Sequence, residues 1–318
     1  MINSQNISSL AHEDCCGCMA CGDVCPKSCI TFQKNDDGFL YPVVDQSTCI
    51  FCGKCVKICP ELNPLFNNRT DEVYAAYANS QTERQSGSSG GLFGVIARYI
   101  IDNNGKVWGA AFDDNLQLNH VCAANHDDLK LLMKSKYLQS NTRGCFKQIA
   151  DDLKNGILTL FCGTPCQCNA LRNYIGNSDS LYLIDLICHG VPSQDLFDKS
   201  IKYLENSDHC HVTEFTFRSK YKGVLHPQAF SYKCTKNGKS KIVNGLHYQF
   251  PFYFGFQKHI TLRLSCYKCK WARFERCGDI TLGDFWGLDR IDHKLDPKTG
   301  ISEVIVNTVK GNCIGISV

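Results

Sequence analysis

Long apolar runs are absent from this chain. None of its 318 residues lies in a stretch approaching the roughly 20 apolar residues a membrane helix requires, which excludes a helical membrane span. The leading segment, Met1 to Asp14, is polar and has no apolar signal core, so nothing in it directs export. An excess of one charge is absent too. The 34 Lys and Arg against 31 Asp and Glu leave +3, too little to argue for nucleic acid or an anionic membrane as partner. No paired carboxylates and no Ser/His/Asp constellation stand out by spacing, so hydrolytic chemistry has no visible carrier. The rest, 43% hydrophobic and 20% charged, is the make-up of a water-soluble globular protein long enough for two domains.

Cysteine, by contrast, is abundant, with 22 residues. A cysteine-rich chain without an export signal belongs in a reducing cytoplasm, with its thiols free or on metal. Cys15, Cys18, Cys21 and Cys25 stand as C-x2-C-x2-C-x3-C with Pro26 next, and Cys49, Cys52, Cys55 and Cys59 repeat the spacing with Pro60 next. This is the bacterial-type ferredoxin run. Three closely spaced thiolates cap one cubane, because Gly17 or Gly53 lets the loop tighten, and the fourth cysteine reaches the other cluster. One 4Fe–4S cluster is therefore assigned to Cys15, Cys18, Cys21 and Cys59, and a second to Cys49, Cys52, Cys55 and Cys25. A disulfide framework and zinc are the plainer readings. Zinc seldom uses four cysteines in one such run, and oxidation has no export signal behind it. Cys16 and Cys29 fall outside the runs and read as free buried thiols.

Between the runs, Cys29–Lys34 and Tyr41–Asp45 read as strands joined by an Asn35-Asp36-Asp37-Gly38 turn, each half a small βαβ-like unit. Neither half buries a core alone, so cluster insertion and folding are coupled. The fold class expected is α+β followed by α/β. Residues 1–70 form the two-cluster domain, with Glu61 to Asp71 as linker, and residues 71–318 form a mixed α/β domain. In the latter, Val73–Ala76, Lys106–Phe112, Ile157–Phe161, Leu181–Leu186, Thr213–Phe217, Ala229–Cys234 and Ile301–Val309 read as strands. Leu92–Ile101, Thr142–Asn155, Cys166–Tyr174 and the segment from Ser193 to about Asn206 read as helices. Alternation of this kind favours parallel strands, with ligands beyond their carboxyl ends. The aromatic stretch His247 to His259 reads as core, and the tail Asp289 to Gly300 is polar. Ser88-Ser-Gly-Gly91 opens a helix, where backbone N–H groups could meet an anion or simply cap the helix.

Gly163-Thr-Pro-Cys-Gln167, Cys188-His-Gly-Val-Pro-Ser193, Cys266-x2-Cys269 and Asp279-Ile-Thr-Leu-Gly-Asp-Phe-Trp-Gly287 appear in this order, with Ser88-Ser-Gly-Gly91 and Ser135-Lys-Tyr-Leu-Gln-Ser140 upstream. These motifs resemble the coenzyme F420 hydrogenase/dehydrogenase beta-subunit family, and the resemblance covers essentially the whole chain. It implies an iron–sulfur flavoprotein in which FAD and a third 4Fe–4S cluster occupy the larger domain. Electrons would pass between a one-electron partner such as ferredoxin and a two-electron hydride carrier or organic substrate. The alternatives it leaves are a coenzyme F420-dependent dehydrogenase or hydrogenase beta subunit, and a non-catalytic electron-transfer subunit with partner subunits. Cys166, Cys188, Cys266 and Cys269 are the implied ligands of the third cluster. Cys162, Cys168 and Cys277 compete with them, and zinc on the same four is the main alternative. Ser88, Ser89, Gly90 and Gly91, with Ser135, Lys136 and Tyr137, become the candidate FAD contacts. Lys136 and His189 are the candidates for a catalytic role, His189 otherwise being a structural hydrogen bonder. Asp284 and Trp286 are expected to hold a turn. Members of the family often continue beyond this point, so a chain ending at Val318 reads as a short or truncated member.

Overall fold

The computed structural model describes residues 6–67, 72–221, 224–225, 229–290, 300–312 and 314. In the N-terminal part, the first cysteine loop leads into α1 (Ala20–Val24), then β1 (Ile30–Lys34) and β2 (Leu40–Val44), and the second loop leads into α2 (Lys54–Ile58). The two strands pair antiparallel, from Ile30 opposite Val44 to Lys34 opposite Leu40. Gly38, at φ +79°, closes their turn by donating its N–H to the Asn35 carbonyl at 2.9 Å. Each half therefore supplies one loop, one helical turn and one strand of a shared hairpin, which corrects the βαβ-like expectation. The short connection between the strands cannot cross over to a parallel neighbour. The cysteine loops tighten through two left-handed residues each: Gly17 and Met19 in the first, Phe51 and Gly53 in the second. Glycine thus occupies opposite positions of the same turn in the two copies.

The second part contains β3 (Val73–Ala76), α3 (Gln81–Ser86), α4 (Leu92–Asp102), β4 (Lys106–Phe112), β5 (Leu118–Ala123), α5 (His126–Leu132), α6 (Cys145–Lys154), β6 (Thr159–Gly163), α7 (Pro165–Ile175), β7 (Leu181–Leu186) and α8 (Gln194–Asp208). It continues with β8 (His211–Thr216), β9 (Lys220–Tyr221), β10 (Val224–Leu225), β11 (Ala229–Lys236), β12 (Lys239–Leu246), α9 (Pro251–Gln257), β13 (Ile280–Asp284), β14 (Ser302–Val306) and α10 (Val309–Asn312). A seven-stranded sheet runs β3-β14-β13-β7-β6-β4-β5. Its centre, β13-β7-β6-β4, is parallel, and the pairs at both margins are antiparallel. Leu160, Phe161, Leu183 and Ile184 in β6 and β7 are wholly buried, which is why these strands are mostly apolar runs. β3 points the same way as β13, because two antiparallel pairings separate them. The loops after β3, β13, β7 and β6 therefore emerge along one edge of the sheet. That edge carries Ser88–Gly91, Asp284, Cys188 and Cys166.

Helix α4 shows why the pattern reads as helix: Leu92, Ile96, Ala97, Ile100 and Ile101 form one buried stripe at three- and four-residue spacing. Helix α7 starts on a reciprocal cap between Thr164 and Gln167, with Pro165 at its first position. The aromatic stretch is core, as expected: Phe250, Phe252, Tyr253 and Phe256 pack with Phe197, Phe215, Phe217 and Phe230 against the β12-β11-β8 sheet. Cys210 and Cys234 are joined by a disulfide, a correction to the expectation that every thiol is free or on metal. The left-handed His209 at the end of α8 turns the chain so that Cys210 meets Cys234 of β11, whose register partner is Val212. The linker is pinned rather than loose. Leu65 N–H donates to Asn169 Oδ1 at 2.8 Å and Asn67 N–H to the Arg276 carbonyl at 2.7 Å. Residues 68–71, and most of the polar stretch Asp289 to Gly300, lie outside the described residues.

Candidate metal centres and electron-transfer site

The first cysteine set converges. Cys18 acts electrostatically on Cys21 and Cys59, and Cys15 on Cys21 and Cys59, with Cys18, Cys21 and Cys59 all buried. Burial pushes the Cys59 thiol up to about 11. Crowded thiolates stripped of water need a positive partner to stay ionised, and iron supplies it. The second set, Cys25, Cys49, Cys52 and Cys55, lines one small, open recess. Cys29 shares that recess, its Sγ 3.3 Å from that of Cys25, so it stands at the rim of the second set rather than apart from it. The sets differ in access: Cys18 is buried and Cys52 exposed.

Side chains from the larger domain grip the first cysteine loop by its carbonyls. Arg263 Nε donates to the Cys15 carbonyl at 2.6 Å, Gln139 Nε2 to that of Cys16 at 3.0 Å, and Thr142 Oγ1 to that of Cys18 at 2.7 Å. Asp23 of α1 accepts the N–H groups of Gly144 and Phe146 at the start of α6, at 2.7 and 3.2 Å. A carboxylate there meets unpaired donors. Cys16 and Cys18 enter the same apolar cluster as Trp108, Phe146, Cys168 and Cys277. The module is thus part of a shared core.

Cys166 sits in the first turn of α7, just beyond β6, and Cys188 two residues beyond β7. Cys266 lies in the 3-10 turn Leu264–Lys268 and Cys269 directly after it. All six pairings among these four thiols are close enough to be felt electrostatically. Burial pushes Cys266 up to about 12 and raises Cys188 further. Of the three competing thiols, Cys168 and Cys277 also feel Cys166, but each is committed to a backbone carbonyl. Cys168 donates to the Ile184 carbonyl at 3.4 Å and Cys277 to the Pro165 carbonyl at 3.3 Å. Cys162 lies beside Lys136, pushed up to about 12 by burial. The donor set of four converging cysteines suits a cubane. Cys16, in contact with both Cys18 and Cys166, stands between this set and the first one.

The candidate flavin residues also come together. Ser135 N–H donates to Ser88 Oγ at 2.7 Å, tying the two segments. Part of the loop is committed to the fold, however: Gly90 N–H donates to Ser302 Oγ at 3.0 Å and Ser89 Oγ to the Ile301 carbonyl at 2.8 Å. A Cβ on Gly90 would stand 2.5 Å from the Ala76 carbonyl oxygen, so only glycine lets the loop lie on β3. The N–H groups opening α4 remain the anion-facing donors. Lys136 donates to the Leu131 and Met133 carbonyls at 3.0 and 2.7 Å, holding the end of α5, and burial lowers its pKa to about 7. Tyr137 packs on Phe256 and stands beside Arg218, with which it interacts; Arg218 is ion-paired with Asp284, and its Nε and Nη2 find no well-aligned acceptor among the described residues. These unmet buried donors fit an electron-rich ring edge or phosphate. His189 bonds the Phe256 carbonyl at 3.2 Å and packs on the rings of Phe256 and His259. Asp284 holds Arg218, while Trp286 is exposed. Arg263 and Arg218 carry no motif; Gln139 stands inside the Ser135–Ser140 motif, but its grip on the cysteine loop was not read from it.

Residues 158–315 match the family model for the C-terminal part of the coenzyme F420 hydrogenase/dehydrogenase beta subunit, and residues 14–62 match a 4Fe–4S dicluster domain. The chain belongs to this beta-subunit family, with a ferredoxin domain at its front. The fold of this beta-subunit homologue is also found in a chain of the F420-reducing [NiFe] hydrogenase complex from Methanosarcina barkeri, at 16% identity, TM-score 0.50 and 79% coverage of each chain. Its cysteine-rich front resembles NADH-quinone oxidoreductase subunit I of Pelobacter propionicus, 41% identical over 58 residues, 15% of this chain and 30% of that one. Subunit I 2 of Geobacter metallireducens is 40% identical over 58 residues, 16% of this chain and 44% of that one. The chain thus spans less than half the length of these curated relatives. What the chain shares with known proteins is therefore a 4Fe–4S dicluster domain and the C-terminal part of the beta subunit. No helix among the described residues is long and apolar enough to cross a membrane.

Proposed function

We propose that this chain is an iron–sulfur flavoprotein oxidoreductase. It would move single electrons from a ferredoxin-type carrier through three 4Fe–4S clusters to FAD, and from there to a two-electron hydride carrier or organic substrate. The observation carrying this reading is the mutual proximity of Cys166, Cys188, Cys266 and Cys269, with Cys16 reaching from the first loop to Cys166. The outer cluster would be held by Cys49, Cys52, Cys55 and Cys25, the middle one by Cys15, Cys18, Cys21 and Cys59, and the inner one by that four-thiol set.

Flavin, when bound, supplies exchange between hydride and single-electron chemistry. Around it, the start of α4 would hold the diphosphate, and Ser88 fixes the Ser135–Tyr137 segment. Arg218, locked by Asp284, would offer its two free donors to an anionic ring edge, and Tyr137 would bound the site on an aromatic face. Lys136, with its lowered pKa, can hold or release a proton near neutrality at Nζ. Asp284, Cys188 and Cys166 follow in that order along one edge of the sheet, so a flavin held at the β3 and β13 loops would be near a cluster on Cys166 and Cys188.

Anaerobic reconstitution tests the reading. Three cubanes require about 12 iron atoms per chain, two require about eight. FAD retained after gel filtration and reduced through the clusters supports the full wire, and no retained flavin refutes the flavoprotein claim. Retained FAD with no turnover of NAD(P)H, the deazaflavin coenzyme or other hydride donors would support the second reading, an electron-transfer subunit. That reading is favoured by the fold match to a hydrogenase complex.

A further inference from the structure

The cysteine module is a duplication in which one copy is docked and the other is not. At the 34-residue offset, Cys16, Gly17, Met19 and Ala20 correspond to Ile50, Phe51, Gly53 and Lys54. The first set is buried against the larger domain, so tightly that a Cβ on Gly17 would lie 2.3 Å from Gln139 Nε2. The second set faces solvent: Ile50 is 55% and Phe51 45% exposed. Phe51 holds the left-handed conformation, φ +51°, that its counterpart assigns to glycine. A bulky residue that is both strained and exposed contributes nothing to the fold that glycine would not do better.

Charge differs between the surroundings of the two cysteine sets. The contrast follows the cysteine sets rather than the sequence copies: Asp23 of the first copy and Glu61, next to Cys59 with Pro60 between, engage α6 and Lys270 beside the first set, while their counterparts at the offset, Lys57 and Lys27, are exposed, as is Lys54, which replaces Ala20. Lys27, Lys54 and Lys57 are exposed, and none pairs with a carboxylate among the described residues. Asp45, at the same end of the hairpin, is held by Ser47 and Thr48. Lys27, Ile50 and Lys54 line the recess of Cys25, Cys49, Cys52 and Cys55.

We infer that the open copy is the docking face for an acidic one-electron carrier protein, with Ile50 and Phe51 as its apolar centre and Lys27, Lys54 and Lys57 as its basic rim. The inference rests on the reading that electrons enter at the outer cluster. An apolar contact with lysines around it suits a partner whose carboxylates surround its own redox centre, and an electron tunnelling between the two needs no bond made or broken.

The test uses the full-length, iron-loaded chain and a reduced plant-type [2Fe–2S] ferredoxin of strongly negative charge, followed by stopped-flow absorbance. Photoreduced 5-deazariboflavin, small and neutral, is the control donor. The rate with ferredoxin is expected to fall as salt rises, and the combined Lys27→Glu, Lys54→Glu, Lys57→Glu variant to be roughly tenfold slower or more. Reduction by the control donor stays at the wild-type rate. Phe51→Gly should slow the ferredoxin reaction without lowering the unfolding midpoint, whereas a structural role for Phe51 predicts a lower midpoint. Ferredoxin rates unchanged in both variants overturn the docking face alone. Wild-type clusters that the control donor cannot reduce overturn the electron-entry reading beneath it. Self-association of the wild type, lost in the triple variant, would assign the face to a second copy of this chain and also overturn the carrier.

Discussion

Arg263 Nε donates to the carbonyl of Cys15 at 2.6 Å, across 248 residues of sequence, while Arg263 itself stands three residues before Cys266. One guanidinium thereby positions the first cysteine loop against the turn that carries Cys266 and Cys269. It also donates to Gln139 Oε1 at 2.7 Å and the Leu40 carbonyl at 2.9 Å, with Tyr41 beneath its plane.

Arg263→Ala should therefore loosen the docked module. Three buried acceptors lose their donor, which costs about 3 kcal/mol in a charge-assisted network. Chemical denaturation of the iron-loaded protein measures this. Arg263→Lys should recover only part, because an ammonium cannot reproduce the fork. A wild-type unfolding curve for Arg263→Ala would mean that the module is held by apolar contacts alone.

Cys16 touches thiols of both inner sets, so its proton can be shared with a cluster sulfur. Hydrogen bonds to cluster sulfurs raise reduction potentials. Cys16→Ala should lower the potential of the middle or inner cluster, and Cys16→Ser should restore most of it. A redox titration followed by electron paramagnetic resonance reads both. Iron content should not change; a loss of about four irons per chain in Cys16→Ala would make Cys16 a ligand instead.

Cys188→Ser removes one corner of the inner set and leaves the ferredoxin runs intact. Iron per reconstituted chain should drop from about 12 to about eight. Cys277→Ser, outside the set, should keep the full complement. Equal iron in Cys188→Ser and wild type would dissolve the inner assignment.

His120 is buried, stacked on Phe161 and bonded to the Cys162 carbonyl at 3.1 Å, and burial lowers its pKa to about 4 from the ordinary 6.5. The unfolded chain thus takes up a proton before the folded one. Stability is complete above about pH 6.5 and declines as pH falls toward 4, by about 3 kcal/mol in all. His120→Gln should flatten that slope. The difference between variant and wild-type slopes isolates His120 from any acid loss of iron common to both.

The ferredoxin runs were legible because cubane ligation dictates both residue type and spacing, so little freedom remained. Strands such as Lys106–Phe112 and Leu181–Leu186 were legible to the residue, because burial on both faces demands a mostly apolar run, broken in β7 only by the buried, hydrogen-bonded Asp185. Strand β12 was missed, since its outward residues, such as exposed Lys239, Lys241 and Ile242, break the alternation. Lys136 looked like a cofactor contact by its motif, yet it also caps a helix, a role that depends on where the α5 carbonyls end. The roles of Arg263 and of Gln139, itself within the Ser135–Ser140 motif, were invisible for a different reason. Their partners are main-chain carbonyls of a distant loop, and a carbonyl leaves no trace in residue identity.

The unequal burial of the two cysteine loops also sets an order of manufacture. Cys18, Cys21 and Cys59 are closed off once Arg263, Gln139 and Thr142 have gripped their loop, so iron must reach them before or during that closure. The recess of Cys49 and Cys52 stays open in the finished protein. The outer centre is thus the one that oxidants can strip first, and the one that a scaffold delivering iron and sulfide can rebuild without unfolding the chain.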